Sequence, residues 1–350
     1  MSKTRIAVAG AGYIGLAHMA VAQRSPTCTL SAIVDPAPAA AEVAARAGVP
    51  LYPSLGDLIA RDRPAGVILA TPNPLHVEHA ITCIDAALPM LLEKPIAPTV
   101  AEGERLVMIA EAAAARILIG HHRAHSPIMA KACEIVARGT LGSLVGVMGS
   151  AVFFKPDRYF ADGPWRRAPG GGPILLNMIH EVHNLRMLCG EIVAVQAFAS
   201  HAIRHFPVED TVAINLRFAS GALGSFMLSD TAACARSWEQ TSQENKAYAT
   251  YPDEDCYVVM GTFGSLSIPT MRLKTYDRAE DRSWWKPFHS SVAGLVRDDP
   301  LVHQLEHFGA VVRGEAQPRV SARDGLANLR VTEAISEAAA SGRVIELPAG

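Results

Sequence analysis

Residues 5–15 read RIAVAGAGYIG, and this stretch decides the fold. A short apolar, β-prone run, Arg5–Ala9, leads into the glycine-rich turn, and a helical pattern follows that ends near Pro26. A second β-prone run, Leu30–Val34, stops at Asp35, twenty residues after the last glycine of the turn. A strand, a G-x-G-x-x-G turn, a helix and an acid at the end of the next strand form a dinucleotide-binding fingerprint. The stretch therefore predicts a βαβ unit that binds a nicotinamide or flavin dinucleotide.

Each glycine of the turn has a distinct expected task. Gly10 permits the tight turn, Gly12 lets the backbone approach a pyrophosphate, and Gly15 lets the helix pack closely with its N-terminus facing the phosphates. The alternative, a bare strand–turn–helix corner with an incidental Asp35, fits the complete pattern less well. The cofactor-binding candidates from this region are Gly10, Ala11, Gly12, Tyr13, Ile14, Gly15 and Asp35.

Asp35 also predicts which nicotinamide cofactor is preferred. A carboxylate at the end of the second strand accepts hydrogen bonds from the adenosine ribose hydroxyls and repels a 2′-phosphate. No cation follows it in the sequence until Arg46, so the Arg that often accommodates such a phosphate is missing nearby. We therefore expect NAD rather than NADP.

The first 120 residues continue the alternation of short apolar runs and helical patterns. A T-x-x-E capping box at Thr99 marks the start of one of these helices. Such alternation is typical of parallel βαβ units, so it predicts a Rossmann-type, doubly wound parallel sheet over residues 1–121. The further runs are Gly66–Ala70, Met90–Leu92 and Ile117–Ile119, and the helical patterns are Leu75–Ala87 and Ala101–Ala115.

The pattern changes after residue 122. Long alternating runs with turn glycines indicate an α+β domain, residues 122–350, with a large, mostly antiparallel open sheet. A Gly/Pro-rich stretch, Asp162–Pro173, interrupts the early part of this domain. The expected strands are Leu144–Phe154, Ile192–His205, Val208–Phe218, Ala222–Leu228, Cys256–Met260 and Ser265–Ile268, and the expected helices are Ile128–Arg138, Ile174–Cys189, Pro300–Arg313 and Ser321–Ser341.

Composition excludes several classes of protein. The 350 residues are 49 % hydrophobic and 19 % charged with a net charge of −2, which excludes a disordered chain and argues against a nucleic-acid binder. No run supplies the roughly 18 apolar residues that a membrane span needs. Glycines interrupt the apolar N-terminal run before it resembles a secretion signal. The six cysteines are scattered without a C-x-x-C pair, so we expect a cytoplasmic protein with reduced thiols.

Two polar segments follow predicted strands of the parallel sheet. Residues 71–76, TPNPLH, come after the fourth strand, and Glu93-Lys94-Pro95 comes after the fifth. The carboxyl ends of such strands line a ligand crevice, where a lysine can hold a substrate hydroxyl and take part in proton transfer. From the residues alone, a surface lysine that pairs with Glu93 is an equally good interpretation of Lys94.

The order and spacing of four motifs resemble one family. GAGYIG, TPNPLH, EKP and a GGG-x7-H element, in which Gly170–Gly172 precede His180, are similar to the glucose–fructose oxidoreductase / inositol dehydrogenase family, written Gfo/Idh/MocA. The resemblance spans nearly the whole chain. It implies NAD(P) binding in the N-terminal domain and oxidation or reduction of secondary alcohols of sugars, polyols or cyclic diols, usually without a metal. It also implies homodimers or homotetramers.

The resemblance assigns roles to individual residues. Lys94 matches the lysine that holds the substrate oxygen, and His180 matches the histidine that accepts a proton in many members. Trp165 and Arg166 match a pair that reaches the nicotinamide end of the cofactor. The expected substrate-binding residues are Trp165, Arg166 and Asn177; the further cofactor-binding residues are Thr71, Pro72, Asn73, His76, Glu93, Lys94 and Arg123.

Two positions depart from the family pattern. Many members carry an Asp four residues before the histidine, where this chain has Leu176 with Asn177 beside it, and an acid three residues after it, where this chain has His183. The missing carboxylates remove groups that would orient His180 and favour its protonated form. They also motivate a non-catalytic alternative, a dinucleotide-binding regulator or scaffold.

Other residues invite interpretations outside this scheme. Histidines at close spacing, such as His180 with His183, could suggest a metal-dependent lyase or hydrolase, but H-E-x-x-H is absent and we expect no metal. Trp284 and Trp285 could line a sugar-binding mouth or form an oligomer contact.

Overall fold

The computed structural model describes residues 3–348 and divides the chain into two compact units. The first contains the residues up to His125 together with Pro300–Leu329; the second contains Ser126–Asp299 and the residues from Arg330 on. The sequence had assigned residues 300–329 to the C-terminal domain. The difference has a steric reason, because the helix at Pro300–Arg313 packs so tightly on the first unit's sheet that a Cβ at Gly66 would lie 2.7 Å from Val312.

The first unit is built on a six-stranded, wholly parallel sheet in the order β3-β2-β1-β4-β5-β6. Its strands are β1 (Thr4–Ala9), β2 (Cys28–Val34), β3 (Leu51–Tyr52), β4 (Gly66–Leu69), β5 (Met90–Leu92) and β6 (Ile117–Ile119). The central strands are continuous apolar runs, as expected where helices cover both faces of a parallel sheet. The strand order reverses between β1 and β4, the point where such sheets bind ligands. The predicted doubly wound sheet is confirmed.

Five helices connect these strands or follow them. They are α1 (Tyr13–Arg24), α2 (Ala40–Ala47), α3 (Leu55–Arg61), α4 (His76–Asp85) and α5 (Val100–Ala112). Thr99 is the N-cap of α5: its hydroxyl oxygen accepts a hydrogen bond from the backbone N–H of Glu102 at 3.3 Å, and its hydroxyl group lies 3.0 Å from the carboxylate of Glu102. The sequence analysis had not identified α2, β3 or α3, which are short.

The second unit contains a nine-stranded sheet in the order β14-β13-β12-β11-β7-β10-β9-β8-β15. Its strands are β7 (Leu144–Val152), β8 (Ile192–Ser200), β9 (Thr211–Phe218), β10 (Leu223–Ser229), β11 (Tyr257–Gly261), β12 (Gly264–Ile268), β13 (Arg272–Thr275), β14 (His289–Val292) and β15 (Ile345–Glu346). Only β7 and β10 pair in parallel, so the mostly antiparallel sheet is confirmed. The sequence had extended β8 to His205 and begun β9 at Val208. These residues instead form a loop, in which Asp210 accepts the N–H groups of residues 203 and 204.

The helices after residue 126 complete both units. They are α6 (Pro127–Ala137), α7 (Asp157–Ala161), α8 (Ile179–Cys189), α9 (Trp238–Thr241), α10 (Pro300–Arg313) and α11 (Ala322–Ser341). Buried residues of α6, α8 and the end of α11 join the buried residues of the nine-stranded sheet in one apolar core. The helix predicted over Ile174–Cys189 begins differently, because Ile174–Met178 form a π-helical turn and α8 starts only at Ile179. None of the helices described here is long and apolar enough to cross a membrane.

Candidate functional site

The glycine-rich turn of the first unit has the geometry of a phosphate cradle. Gly10 has a φ of +98°, and a Cβ at Gly15 would lie 1.9 Å from the carbonyl oxygen of Gly10, so both positions need glycine. A Cβ at Gly12 would meet no described atom within 4 Å. Gly12 is also the N-cap of α1, and it has no side chain to occupy the N–H groups of the first turn. The turn is therefore tightly packed at two glycines and open at the third, as a bound pyrophosphate requires.

Asp35 lies at the end of β2 beside this turn. One carboxylate oxygen accepts the N–H of Ala11 at 2.7 Å, and the other accepts the N–H of Ala37 at 2.8 Å. These bonds fix the carboxylate while leaving lone pairs on both oxygens, since a carboxylate can accept about four hydrogen bonds. The remaining lone pairs suit the hydroxyls of an adenosine ribose. The residues of this edge thus fit NAD.

His76 holds two loops of the first unit together. It is completely buried, with Nδ1 2.7 Å from the carbonyl oxygen of Pro95 and Nε2 2.9 Å from that of Thr71. Burial lowers the pKa of the ring, although both carbonyls favour its protonated form. The structure therefore places this cofactor-binding candidate between the loop after β4, which also contains Pro72 and Asn73, and the loop after β5.

The residue before Lys94 is a fixed, buried carboxylate. One carboxylate oxygen of Glu93 accepts a hydrogen bond from Nε2 of His18 in α1 at 2.8 Å, and the other accepts the backbone N–H of Lys94 at 3.2 Å. Burial raises the pKa of Glu93, but the hydrogen bond to His18 and the nearby charges of His18, Lys94 and His122 outweigh it, so the pKa is lowered. Glu93 therefore anchors the loop that carries Lys94. The sequence analysis had missed His18, whose only signal was a histidine among the apolar residues of α1.

Arg123 also lies at the carboxyl edge of the parallel sheet. It is buried in the 3-10 turn His122–His125, shortly after β6. Arg319, three residues before α11 begins, donates to the carbonyl oxygen of Ala124 at 3.2 Å and thus connects this turn to the segment between α10 and α11. The turn is a fixed part of the first unit.

In the second unit, the triple glycine brings separate segments into close contact. A Cβ at Gly171 would lie 2.5 Å from the carbonyl oxygen of Arg166, and one at Gly172 would lie 2.6 Å from the carboxylate of Glu209. Arg166 stacks on the ring of Tyr159 at 4.0 Å, whereas Trp165 is 53 % exposed. The predicted Trp–Arg pair and the glycine element are therefore packed against each other.

A lysine that the sequence analysis had missed joins these elements. Lys155 follows β7, is 8 % exposed, and donates to Oδ1 of Asn177 at 2.6 Å. Its Nζ lies 4.9 Å from the centre of the Tyr159 ring and 3.7 Å from a carboxylate oxygen of Asp230. Asp230 in turn binds Arg204 at 2.7 Å. The available signal was the Lys155-Pro156 pair after a strand, which repeats Lys94-Pro95.

His180 lies in the first turn of α8 and is half-buried. Asn177 precedes it within the π-helical turn, beside Leu176. The neighbouring acid, Glu181, is buried and accepts a short hydrogen bond from the hydroxyl of Tyr257, so its carboxylate faces the core. His183 is buried as well.

Two remaining interpretations concern metals and the tryptophan pair. Within residues 3–348, no group of three or more His, Cys, Asp or Glu side chains is arranged to hold a metal ion. Trp284 and Trp285 are 86 % and 83 % exposed between β13 and β14, with ring centres 5.2 Å apart. Both the sugar-binding mouth and the oligomer contact therefore stay predictions for this pair.

Comparison with known proteins agrees with this architecture. Residues 4–121 match the model of an oxidoreductase family with an NAD-binding Rossmann fold, and residues 129–267 match the Gfo/Idh/MocA C-terminal domain. The rhizopine catabolism protein MocA of Rhizobium meliloti is 27 % identical over 96 % of this chain and 95 % of its own length. An inositol 2-dehydrogenase of Rubrobacter xylanophilus is 26 % identical over 96 % of this chain and 91 % of its own.

A solved structure shows the same fold. The WlbA dehydrogenase of Bordetella pertussis, in complex with NADH and UDP-GlcNAcA, superposes with a TM-score of 0.79 over the full length of both chains at 24 % identity. Both domain models belong to one family, and together they match most of the chain. The protein is therefore a member of the Gfo/Idh/MocA family of NAD-binding oxidoreductases.

Proposed function

We propose that the protein transfers a hydride between NAD and a secondary alcohol or ketone of a sugar, an inositol-like polyol or a cyclic diol. The observation that carries the proposal is the lysine at the carboxyl end of β5. Lys94 is retained on a loop that the buried Glu93 anchors, at the edge of the sheet that also carries Gly12 and Asp35. A relative matched over nearly the whole chain is named inositol 2-dehydrogenase, which favours a polyol-like substrate.

In this proposal the chain supplies binding and proton transfer. Bound NAD supplies the hydride acceptor. The ammonium of Lys94 holds the substrate oxygen and stabilises the negative charge that develops on it, while His180 accepts the hydroxyl proton. Trp165, Arg166 and Asn177 contact the substrate. The loop after β4, with Thr71, Pro72 and Asn73, and the buried Arg123 belong to the cofactor side.

A screen for NADH formation tests the proposal. The purified protein is incubated with NAD and a panel of sugars, inositols and cyclic diols, and absorbance at the NADH band is followed. We expect turnover with at least one member of the panel. NADH binding without turnover across alcohols and the corresponding ketones would instead favour the non-catalytic regulator.

We also propose that the protein forms a homodimer or homotetramer through its nine-stranded sheet. The register places four exposed apolar side chains on one face of that sheet, with exposures of 45 % to 69 %. They are Met148, Phe198, Leu223 and Met227. Large exposed apolar side chains grouped on one sheet face, here among polar ones such as Asn215 and Ser225, are typical of an interface between copies. Light scattering at micromolar concentration is expected to show at least twice the mass of one chain, and Leu223→Glu should lower it; a monomer would contradict the proposal.

A further inference from the structure

The contact between Lys155 and Asn177 fixes the direction of a carboxamide. An ammonium has three N–H donors and no acceptor, so the asparagine atom 2.6 Å from Nζ must be the oxygen. Reversing the amide would bring the NH2 group of Asn177 against the ammonium of Lys155, so that two donors would face each other. The side chain therefore presents N–H groups on the side away from Lys155.

Lys155 is itself held in place. Only 8 % of the residue is exposed, and its ammonium lies 5.4 Å from the ring centre of Phe153 and 4.9 Å from that of Tyr159. Asp230, 3.7 Å away, provides a counter-charge that Arg204 fixes at 2.7 Å. A buried ammonium with a fixed counter-charge has fewer side-chain conformations available than a surface lysine. The orientation of Asn177 is thus set by several segments of the second unit.

The position of Asn177 gives this orientation a consequence. The half-buried side chain stands in the π-helical turn, three residues before His180. Here the side chain presents donors, and the positive charge of Lys155 polarises the amide further. Such a group suits an oxygen that only accepts hydrogen bonds.

We propose that Lys155 is a positioning residue for substrate selection: it holds Asn177 so that its NH2 group binds an acceptor-only oxygen of the substrate, preferably a carboxylate. This inference rests on the proposed function, because it names the substrate feature that the same site selects. A sugar acid or polyol acid is therefore preferred to its neutral parent.

The first experiment tests the positioning without turnover. In NADH-loaded protein with 15N-labelled asparagine, the NH2 signals of Asn177 are identified by their loss in Asn177→Asp. We expect Lys155→Met to shift these signals. Lys131→Met, which removes a half-buried lysine of α6 paired with Glu134 at 3.1 Å, is expected to leave them unchanged. Unchanged signals in Lys155→Met would overturn the positioning role.

If Lys155→Met fails to fold, Lys155→Arg replaces it, since arginine keeps the charge and the donors. The arginine variant is expected to alter the NH2 proton shifts of Asn177, because a planar guanidinium replaces the ammonium that binds Oδ1. Identical shifts in the wild type and this variant would also contradict control of the amide by residue 155.

The second experiment tests selection with substrates found in the NADH-formation screen. Uronates are compared with their parent hexoses, for example D-galacturonate with D-galactose. Asn177→Asp is expected to raise KM for the acid at least about tenfold, with kcat changed much less, because a carboxylate replaces the donor. Equal effects on acid and neutral substrate would overturn the selection. A protein that turns over no alcohol would refute the proposed function, while the NH2 signals would still decide the role of Lys155.

Discussion

The glycine turn of the first unit and the cluster of polar side chains around Lys155 in the second unit are both tightly packed. Only the glycine turn can be recognised from the sequence. The turn and its acid lie within residues 10–35, and their constraint acts on the backbone, which leaves glycines at fixed spacing. The cluster combines Lys155, Asn177, Arg204 and Asp230 from four distant segments. Its constraint is side-chain pairing, which leaves no periodic pattern. Backbone-built sites can therefore be predicted from one sequence, whereas side-chain-built sites need the fold.

The largest expected effect concerns Lys94, where a short motif carries the chemistry. Lys94→Met is expected to lower kcat/KM by about two to four orders of magnitude, because it removes both charge stabilisation and help in proton transfer. NADH affinity should change little. Initial rates and fluorescence titration with NADH measure the two effects separately.

His180→Asn provides the corresponding test in the second unit. It should cost a similar factor, and the loss should shrink at high pH, where hydroxide replaces the missing base. Near-wild-type turnover in both variants would contradict the catalytic assignment of this pair.

The glycine turn can be tested by adding one methyl group at a time. Gly15→Ala places a Cβ 1.9 Å from a backbone oxygen, so we expect a loss of about 3 kcal/mol in the free energy of unfolding and weak NADH binding. Gly12→Ala, with open space around its Cβ, should stay nearly as stable as the wild type but bind NADH at least about tenfold more weakly. Gly56→Ala in α3 is the control, since its Cβ would meet its nearest neighbour only at 3.8 Å. Equal urea midpoints for Gly15→Ala and Gly56→Ala would show that the packing argument fails.

The same contrast explains which parts of the fold the sequence predicted. The parallel sheet was predictable because buried strands such as Val67–Leu69 are continuous apolar runs. The return of Pro300–Arg313 to the first unit was not predictable, since an amphipathic helix does not specify which sheet it covers. The loop after Ser200 was also missed, because the bonds that form it come from the side chain of Asp210.

At the candidate site, the residues quoted in motifs were identified, but their supports were not. The sequence analysis named Glu93 but not its hydrogen-bond partner His18, and it named Asn177 but not its hydrogen-bond partner Lys155. Each missed partner lies in a different segment of the chain from the residue that it supports. A histidine in α1 or a lysine after β7 has, from its residue type alone, no feature that marks it as part of a site. The π-helical turn at residues 174–178 likewise has no sequence signal that separates it from an α-helix.

Asp35 combines the two kinds of constraint, because its side chain accepts hydrogen bonds from backbone N–H groups and is also expected to select the cofactor. We expect a preference for NAD over NADP, because two unit charges 4 Å apart repel by about 4 kcal/mol at an effective dielectric near 20, and a third of that is worth about tenfold. Asp35→Ser should narrow this preference. It should also weaken NAD binding, because the carboxylate accepts the N–H groups of both Ala11 and Ala37. The ratio of kcat/KM for the two cofactors measures the effect, and a wild-type preference for NADP would refute it.

The smallest expected effect is a pH dependence of stability at His76. Burial lowers the folded-state pKa of its ring below the ordinary value of 6.5, so the unfolded chain binds more protons between those two values. The free energy of unfolding is therefore expected to rise with pH through that window and to level off above pH 6.5, with a slope of at most about 1.4 kcal/mol per pH unit from this residue.

The variant His76→Gln tests this expectation. Burial also lowers the pKa of His79 and of His307, so part of the slope should persist in the variant. The variant should lose stability at pH 7, because the buried neutral ring donates its one N–H to the carbonyl of Thr71 or of Pro95, but its slope below pH 6.5 should be shallower. Urea unfolding at half-unit pH steps, with the exposed His289→Gln as control, measures both; an unchanged slope would show that the buried ring does not govern proton uptake on unfolding.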